Sequence, residues 1–174
     1  GNTSRGGLLN AARLPRRGDG YLVPPAWALR GLSFGTDELV TVIVHVARQV
    51  AHEMPGSLLY VADLSPRTGG SSPWHRSHQA GRDVDLVFFA KTATRGAAPP
   101  PSEMVRYAVD GRSLGVPGAL VFDTPRNWAL VRALLANPVA PVQYVFIAEH
   151  LRALLLAYAL EIGEATDLIV QAEE

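Results

Sequence analysis

Between Gly69 and Phe89 the chain reads GGSSPWHRSHQAGRDVDLVFF, and this stretch concentrates the side chains able to do chemistry. His75 and His78 stand three apart in a segment rich in Gly, Ser and Pro, which predicts a loop. Seven residues beyond His78 comes Asp85, inside the run Asp83-Val84-Asp85-Leu86-Val87-Phe88-Phe89. The β-branched and aromatic content of that run, bounded by turn residues, predicts a strand. Alternation along a strand sets Asp83 and Asp85 on one face and Val84, Leu86 and Phe88 on the other. A carboxylate on so apolar a strand is expected to be partly buried, and an ionised buried carboxylate is costly without a cationic partner or a metal. The nearest partners in sequence are Arg82 and the two histidines. A loop-borne imidazole beside a strand-borne carboxylate makes a hard, mixed nitrogen and oxygen donor set for a metal ion. The same residues also admit a plain reading, a solvated histidine loop beside an ion-paired aspartate, and H-x-x-H spacing alone does not separate the two.

The elements that must hold this stretch are legible to different degrees. Residues 1–25 carry Gly, Arg and Pro around the short apolar groups Leu8-Leu9 and Tyr21-Leu22-Val23, which predicts extended segments and turns. Pro24-Pro25 breaks the chain, and Trp27 to Leu32 reads as a short apolar link. Thr36-Asp37-Glu38 opens the clearest helix, with a threonine suited to the N-cap and two acids where the helix dipole favours them. Leu39, Val42, Ile43, Val46 and Val50 recur at helical spacing and mark its buried face. His45 and His52 lie on this helix, seven apart and so on one side, most simply a solvated or flanking one. Pro55-Gly56 ends it, and Ser57 to Ala62 reads as a buried strand leading into Asp63.

Beyond Phe89, residues 91–101 form a polar linker ending in three prolines, more in keeping with a disordered insertion than with the rim of a cleft. Met104 to Val109 reads as a short strand, followed by a Gly-rich turn. Ala119 to Asp123 reads as another strand, turning at Pro125 into a helix from Trp128 to Leu135 that Asn137-Pro138 stops. Asp123 or Thr124 is a candidate N-cap for that helix. Val142 to Ile147 has the composition of a strong strand. Glu149 to Leu160 reads as a very apolar helix with His150 near its start, where a cap or surface role is simplest. Thr166 to Glu174 reads as a last helical segment. Together these predict an α+β fold in which a mostly antiparallel central sheet, built from the strands at Ser57, Asp83, Ala119 and Val142, is flanked by helices.

Composition narrows the function classes. At 174 residues with 48% hydrophobic content the chain suits one domain with an ample core. Sixteen basic residues balance sixteen acidic ones, and no basic stripe of the kind that binds nucleic acid appears. With no cysteine, neither a disulfide framework nor a thiolate metal site is available. No run reaches the length of a transmembrane helix. The opening Gly1-Asn2-Thr3-Ser4-Arg5 carries no apolar signal segment, which fits a mature or trimmed polypeptide.

The string Gly69, Gly70, His75, Ser77, His78, Gln79, Gly81, Asp83, Asp85 resembles the first metal motif of the penicillin-insensitive murein endopeptidases, roughly G-G-x(n)-H-x-S-H-Q-x-G-x-D-x-D. These belong to a wider group with the lysostaphin-type peptidases, the D-Ala-D-Ala dipeptidases and the hedgehog signalling domain. The resemblance runs in the family's order over roughly residues 1–160, including the entry region Gly7-Leu8-Leu9-Asn10-Ala11. It implies a hedgehog- or DD-peptidase-like fold and a Zn2+ cofactor held by His78 and Asp85. It also implies His75 as a ligand or an oxyanion-side donor, and Asp83, Gln79, Ser77 and Asp123 as residues behind the ligands or against substrate. The implied substrate is the cross-link peptide of peptidoglycan, cut between D-alanine and a side-chain amine, with a periplasmic or otherwise exported location. One departure matters. The family's late H-x-H, which supplies the third ligand and a catalytic histidine, has no counterpart, since no histidine follows His150. No catalytic base is therefore assigned. The expectation is a single metallopeptidase domain over residues 1–174 that is part of a longer protein; lost activity and completion by another chain are the other readings. A non-catalytic metal- or peptidoglycan-binding domain is the alternative function.

Overall fold

The computed structural model describes residues 3–92, 94, 96, 98–115 and 120–173. The N-terminal third is extended and short-stranded, as its Gly and Pro content dictates: β1 (Ala12–Arg13), β2 (Arg17–Gly18), β3 (Tyr21–Leu22) and β4 (Phe34–Gly35), with the one-turn helix α1 (Pro25–Ala28) between. The expected link at Trp27 thus begins inside a helix. Pro25 occupies its first turn, where a fixed φ helps and a missing N–H costs nothing. The main helix α2 (Asp37–Glu53) begins as read, the Thr36 side chain accepting from Leu39 N–H. Val42, Ile43, Val46, Ala47 and Val50 are its buried residues, while Leu39 packs at the core's margin.

Four strands make the largest sheet. They are β2, β3, β5 (Leu59–Val61) and β6 (Leu86–Val87), in the order β2-β3-β5-β6. Only β3 and β5 run parallel, and the crossover that parallel pairing requires carries α2. The β5–β6 pair is antiparallel, with Val61 opposite Leu86. The rest of the strand structure is in separate antiparallel pairs: β1 with β4, β7 (Ala90–Lys91) with β10 (Val121–Phe122), and β8 (Arg106–Tyr107) with β9 (Ser113–Leu114). Lys91, read as the start of a linker, closes a strand instead. Ala119, read as the start of β10, lies outside the described residues, as do Ala93, Arg95 and Ala97 of the linker, the turn at 116–119 and Glu174 at the end of the last helix.

Three further helices follow among the described residues: α3 (Thr124–Leu135), α4 (Glu149–Glu161) and α5 (Thr166–Glu173). One sequence expectation fails outright. Residues 142–147 are not a strand; they run as irregular chain with Tyr144 and Phe146 exposed and their rings stacked 5.8 Å apart. A β-strand exists only through its ladder, and none of the described strands pairs with this segment. The core divides in two. Leu14, Tyr21, Trp27, Leu59, Val61 and the α2 face form one part, and Tyr107, Phe122, Trp128, Leu151, Leu155 and Ile169 form the other.

Candidate metal centre

The loop joining β5 to β6 carries both histidines, and its shape follows from its glycines. Gly69 has φ +68, and a Cβ there would meet the Gln79 carbonyl oxygen at 2.3 Å. The loop closes on itself at that point, where Gly70 N–H donates to the same carbonyl at 2.9 Å. Gly81, also at φ +68, is wedged against Leu8, with its N–H on Ser65 Oγ and its carbonyl accepting from Thr36 N–H, both at 2.9 Å. The family-like glycines are thus backbone requirements rather than chemistry.

His78 itself takes a left-handed backbone, φ +62, which a residue bearing a Cβ adopts only when its surroundings enforce it. The Asp83 carboxylate does so by accepting from His78 N–H at 2.9 Å. Asp83 and Asp85 therefore do not share a strand face as alternation predicted. The chain becomes a strand only at Leu86, so the upstream carboxylate braces the loop while Asp85 faces the imidazoles. His78 Nδ1 donates to the Leu64 carbonyl at 2.8 Å, which leaves Nε2 toward Asp85, 3.4 Å from Oδ1. His75 stacks on His78 with ring centroids 4.3 Å apart, and its Nε2 lies 3.8 Å from Asp85 Oδ2.

One nitrogen from each ring and one Asp85 oxygen come within 4.8 Å of one another, close enough to hold a metal ion. The group is graded in exposure: the His78 side chain is buried, His75 less so, and Asp85 is about one-third open. A bound ion would be gripped from inside the protein and reached from outside. Burial pulls the His78 pKa down, yet the hydrogen bond and charge of Asp85, the Leu64 carbonyl and the charge of Asp83 outweigh it, so the imidazole titrates above its ordinary 6.5.

The remaining sequence candidates are placed elsewhere or in lesser roles. Gln79 Nε2 donates to the Arg76 carbonyl at 3.1 Å and holds the loop locally. Ser77 is half-buried and makes no side-chain hydrogen bond to a described residue. Asp123 does not join the three ligand-type residues. Buried at the N-cap of α3 without capping it, it takes Arg126 Nη1 at 2.6 Å and has Lys91 Nζ 2.9 Å away as an ion pair. Arg126 Nε also donates to Ser57 Oγ, so this cluster ties α3 to the strands. Neither His45 nor His52 reaches the group, and His150 donates from Nε2 to the Tyr107 carbonyl at 3.0 Å. Arg82, considered as a partner for the aspartates, is exposed and pairs with neither.

Two residues that sequence reasoning passed over do matter. Asp63, buried two residues beyond β5, accepts from His75 Nε2 at 2.8 Å and from Arg30 Nη1 at 2.7 Å, both on Oδ2. Arg30 also lies over the Trp74 ring, 4.2 Å from its centroid. A lone aspartate closing an apolar strand was the available signal, since it needs a partner as much as Asp85 does.

The fold and the site together define an α+β domain with a His-His-Asp group able to hold a divalent metal ion. The family model of the penicillin-insensitive murein endopeptidases matches residues 1–115, and the chain belongs to that family. All three gathered residues fall inside the match, which ends short of the roughly 160 residues over which the resemblance was read. Membership supports murein endopeptidase activity in general, with peptidoglycan as the substrate. No curated protein matches the chain. No helix among the described residues is long and apolar enough to cross a membrane.

Proposed function

We propose that this is a zinc-dependent endopeptidase of the peptidoglycan cross-link, acting between D-alanine and the side-chain amine of the next residue in an exported compartment. The observation that carries the reading is the convergence of His75, His78 and Asp85 within 4.8 Å, on the segment that the family model covers. The donor set fits the ion, since two imidazole nitrogens and one carboxylate oxygen are ligands zinc accepts while keeping a position open. Zinc, when bound there, supplies a Lewis acid for the scissile carbonyl and lowers the pKa of water.

The chain's own residues do the rest. His78 offers Nε2 because Leu64 occupies Nδ1, and Asp83 holds its backbone in the posture that aims the ring. Asp85 supplies the anionic ligand from the open side, where substrate arrives. His75 serves as the third ligand or as the donor on the oxyanion side. Residues 1–174 act as one metallopeptidase domain in this reading, and no general base is assigned.

The decisive experiment incubates the protein with cross-linked muropeptides in zinc. Cross-linked dimers should be resolved to monomers, the activity should be lost on chelation, and it should be absent in His78→Ala and Asp85→Ala. Zinc binding by the wild type with tight retention of peptidoglycan and no cleavage would overturn the peptidase reading in favour of a binding domain.

A further inference from the structure

The three consecutive residues that follow β5 touch all three members of the metal group. Ala62 N–H donates to the Asp85 carbonyl at 2.8 Å, and Asp85 N–H returns a bond to the Asp63 carbonyl at 2.9 Å. Leu64 accepts from His78 Nδ1. Between them, the Asp63 side chain accepts from His75 Nε2. Two of these residues act through backbone alone, so substitution leaves their contacts in place. Asp63 is the exception.

We propose that Asp63 is a positioning residue of the metal centre: it holds the His75 proton on Nε2 and leaves the Nδ1 lone pair as the one this ring offers a metal. The proposal rests on the metal-centre reading above. A carboxylate accepts and does not donate, so the 2.8 Å contact puts the hydrogen on Nε2, and a neutral imidazole then keeps its lone pair on Nδ1. His78 is set the other way, with its hydrogen on Nδ1 facing a carbonyl and its lone pair on Nε2. The two stacked rings thus keep their lone pairs on different nitrogens, Nδ1 in His75 and Nε2 in His78. A ligating histidine commonly gives its second N–H to a carboxylate, which fixes ring and tautomer together.

Asp63 is itself well fixed. Its side chain is 1% exposed, Arg30 donates to the same Oδ2, and the Arg30 guanidinium covers Trp74, the residue before His75. One arginine therefore clamps both the carboxylate and the loop carrying the ring. The other oxygen, Oδ1, is buried and has no hydrogen-bond partner among the described residues. A buried carboxylate with only half its acceptors used is a poor device for stability alone, because each unsatisfied oxygen costs free energy.

The test has two arms. In the metal-free wild type, nitrogen-15 NMR of the histidines at a pH where they are neutral should find the Nε2–H tautomer at His75 and the Nδ1–H tautomer at His78. Finding Nδ1–H at His75 would overturn the proposal. In the second arm, zinc affinity is measured by competition against a chromophoric chelator. Asp63→Ala should bind about 10–100-fold more weakly, and Asp63→Asn, whose amide oxygen can still accept from Nε2–H, should fall between. Unchanged or tighter binding by folded Asp63→Ala would overturn the proposal; should that variant not fold, the wild-type tautomer decides. A wild type that binds no zinc would sink the metal reading instead, and the tautomer arm would still decide the role of Asp63.

Discussion

At the scale of single residues, His78 is constrained from several directions at once. It is buried, backbone-strained and bonded through its amide and both ring nitrogens' neighbourhoods to Asp83, Leu64 and Asp85. Its raised pKa makes opposite predictions for the metal-free fold and for metal binding. Below the ordinary value of 6.5 both folded and unfolded chains hold the proton, and its stabilising contribution is complete. As pH climbs past that value the unfolded chain releases the proton first, so the contribution shrinks until pH has passed the folded pKa. Binding of the proposed zinc ion would run the other way, because it must displace the same proton. The urea midpoint of the metal-free protein should therefore fall as pH rises from 6.5, with the fall absent in His78→Gln, while zinc affinity of the wild type rises over the same range. A metal-free midpoint that His78→Gln leaves with the same pH slope would refute the assignment.

At the scale of elements, the β5–β6 connection is a loop shaped by Gly69 and Gly81, where an added Cβ would clash. Adding a Cβ at Gly81 would bring it within 2.8 Å of both Leu8 δ carbons and 3.1 Å of Gly35 Cα, on a backbone at φ +68. Gly81→Ala should cost about 1–3 kcal/mol, read as a lowered urea midpoint. Zinc affinity should fall with it, since Gly81 sits between His78 and the Asp83 that braces it. Wild-type zinc affinity in that variant would show the loop to be more compliant than its contacts imply. This loop also marks what was legible in the sequence. Its glycines, its histidines and Asp85 stood out by residue type, but spacing alone left a metal site and a solvated loop both open, and the family motif was what favoured the first. The role of Asp83 could not. Strand alternation paired it with Asp85, but a tertiary hydrogen bond to a left-handed histidine took precedence. Asp63 and Arg30 escaped for a similar reason: they lie 12 and 45 residues from His75, distances over which no local pattern speaks. The Thr36 cap and the α2 face were legible because a cap and a 3.6-residue repeat are local. Residues 142–147 misled, since strand composition says nothing about whether a partner lies alongside.

At the scale of the whole molecule, α3 joins the two halves of the core. Leu130 and Ala133 face the sheet-and-α2 core, while Trp128 and Val131 face the core around α4 and α5. Polar contacts reinforce the joint. Arg132 pairs with Glu53 at the end of α2 and with Glu164 between α4 and α5, and Glu164 Oε2 also accepts from the buried Trp128 indole N–H at 2.9 Å. The hydrogen bond from Trp128, aided by the Ala165 amide and Arg132, outweighs partial desolvation and holds the Glu164 carboxyl below its ordinary 4.5. A depressed folded pKa gives stability that is complete above 4.5 and is lost as pH falls through the folded value. Two variants separate the parts. Glu164→Ala leaves the buried indole N–H without its partner and should cost about 1–3 kcal/mol near neutral pH. Glu164→Gln keeps an acceptor for the indole and loses only the charge, so its deficit at neutral pH should be smaller and should close as pH drops well below 4.5, where the wild-type carboxyl is also neutral. Urea unfolding of the three proteins at both pH values reads this directly. A Glu164→Gln deficit that stays the same in acid would mean that the charge on Glu164 contributes nothing to holding the two cores together.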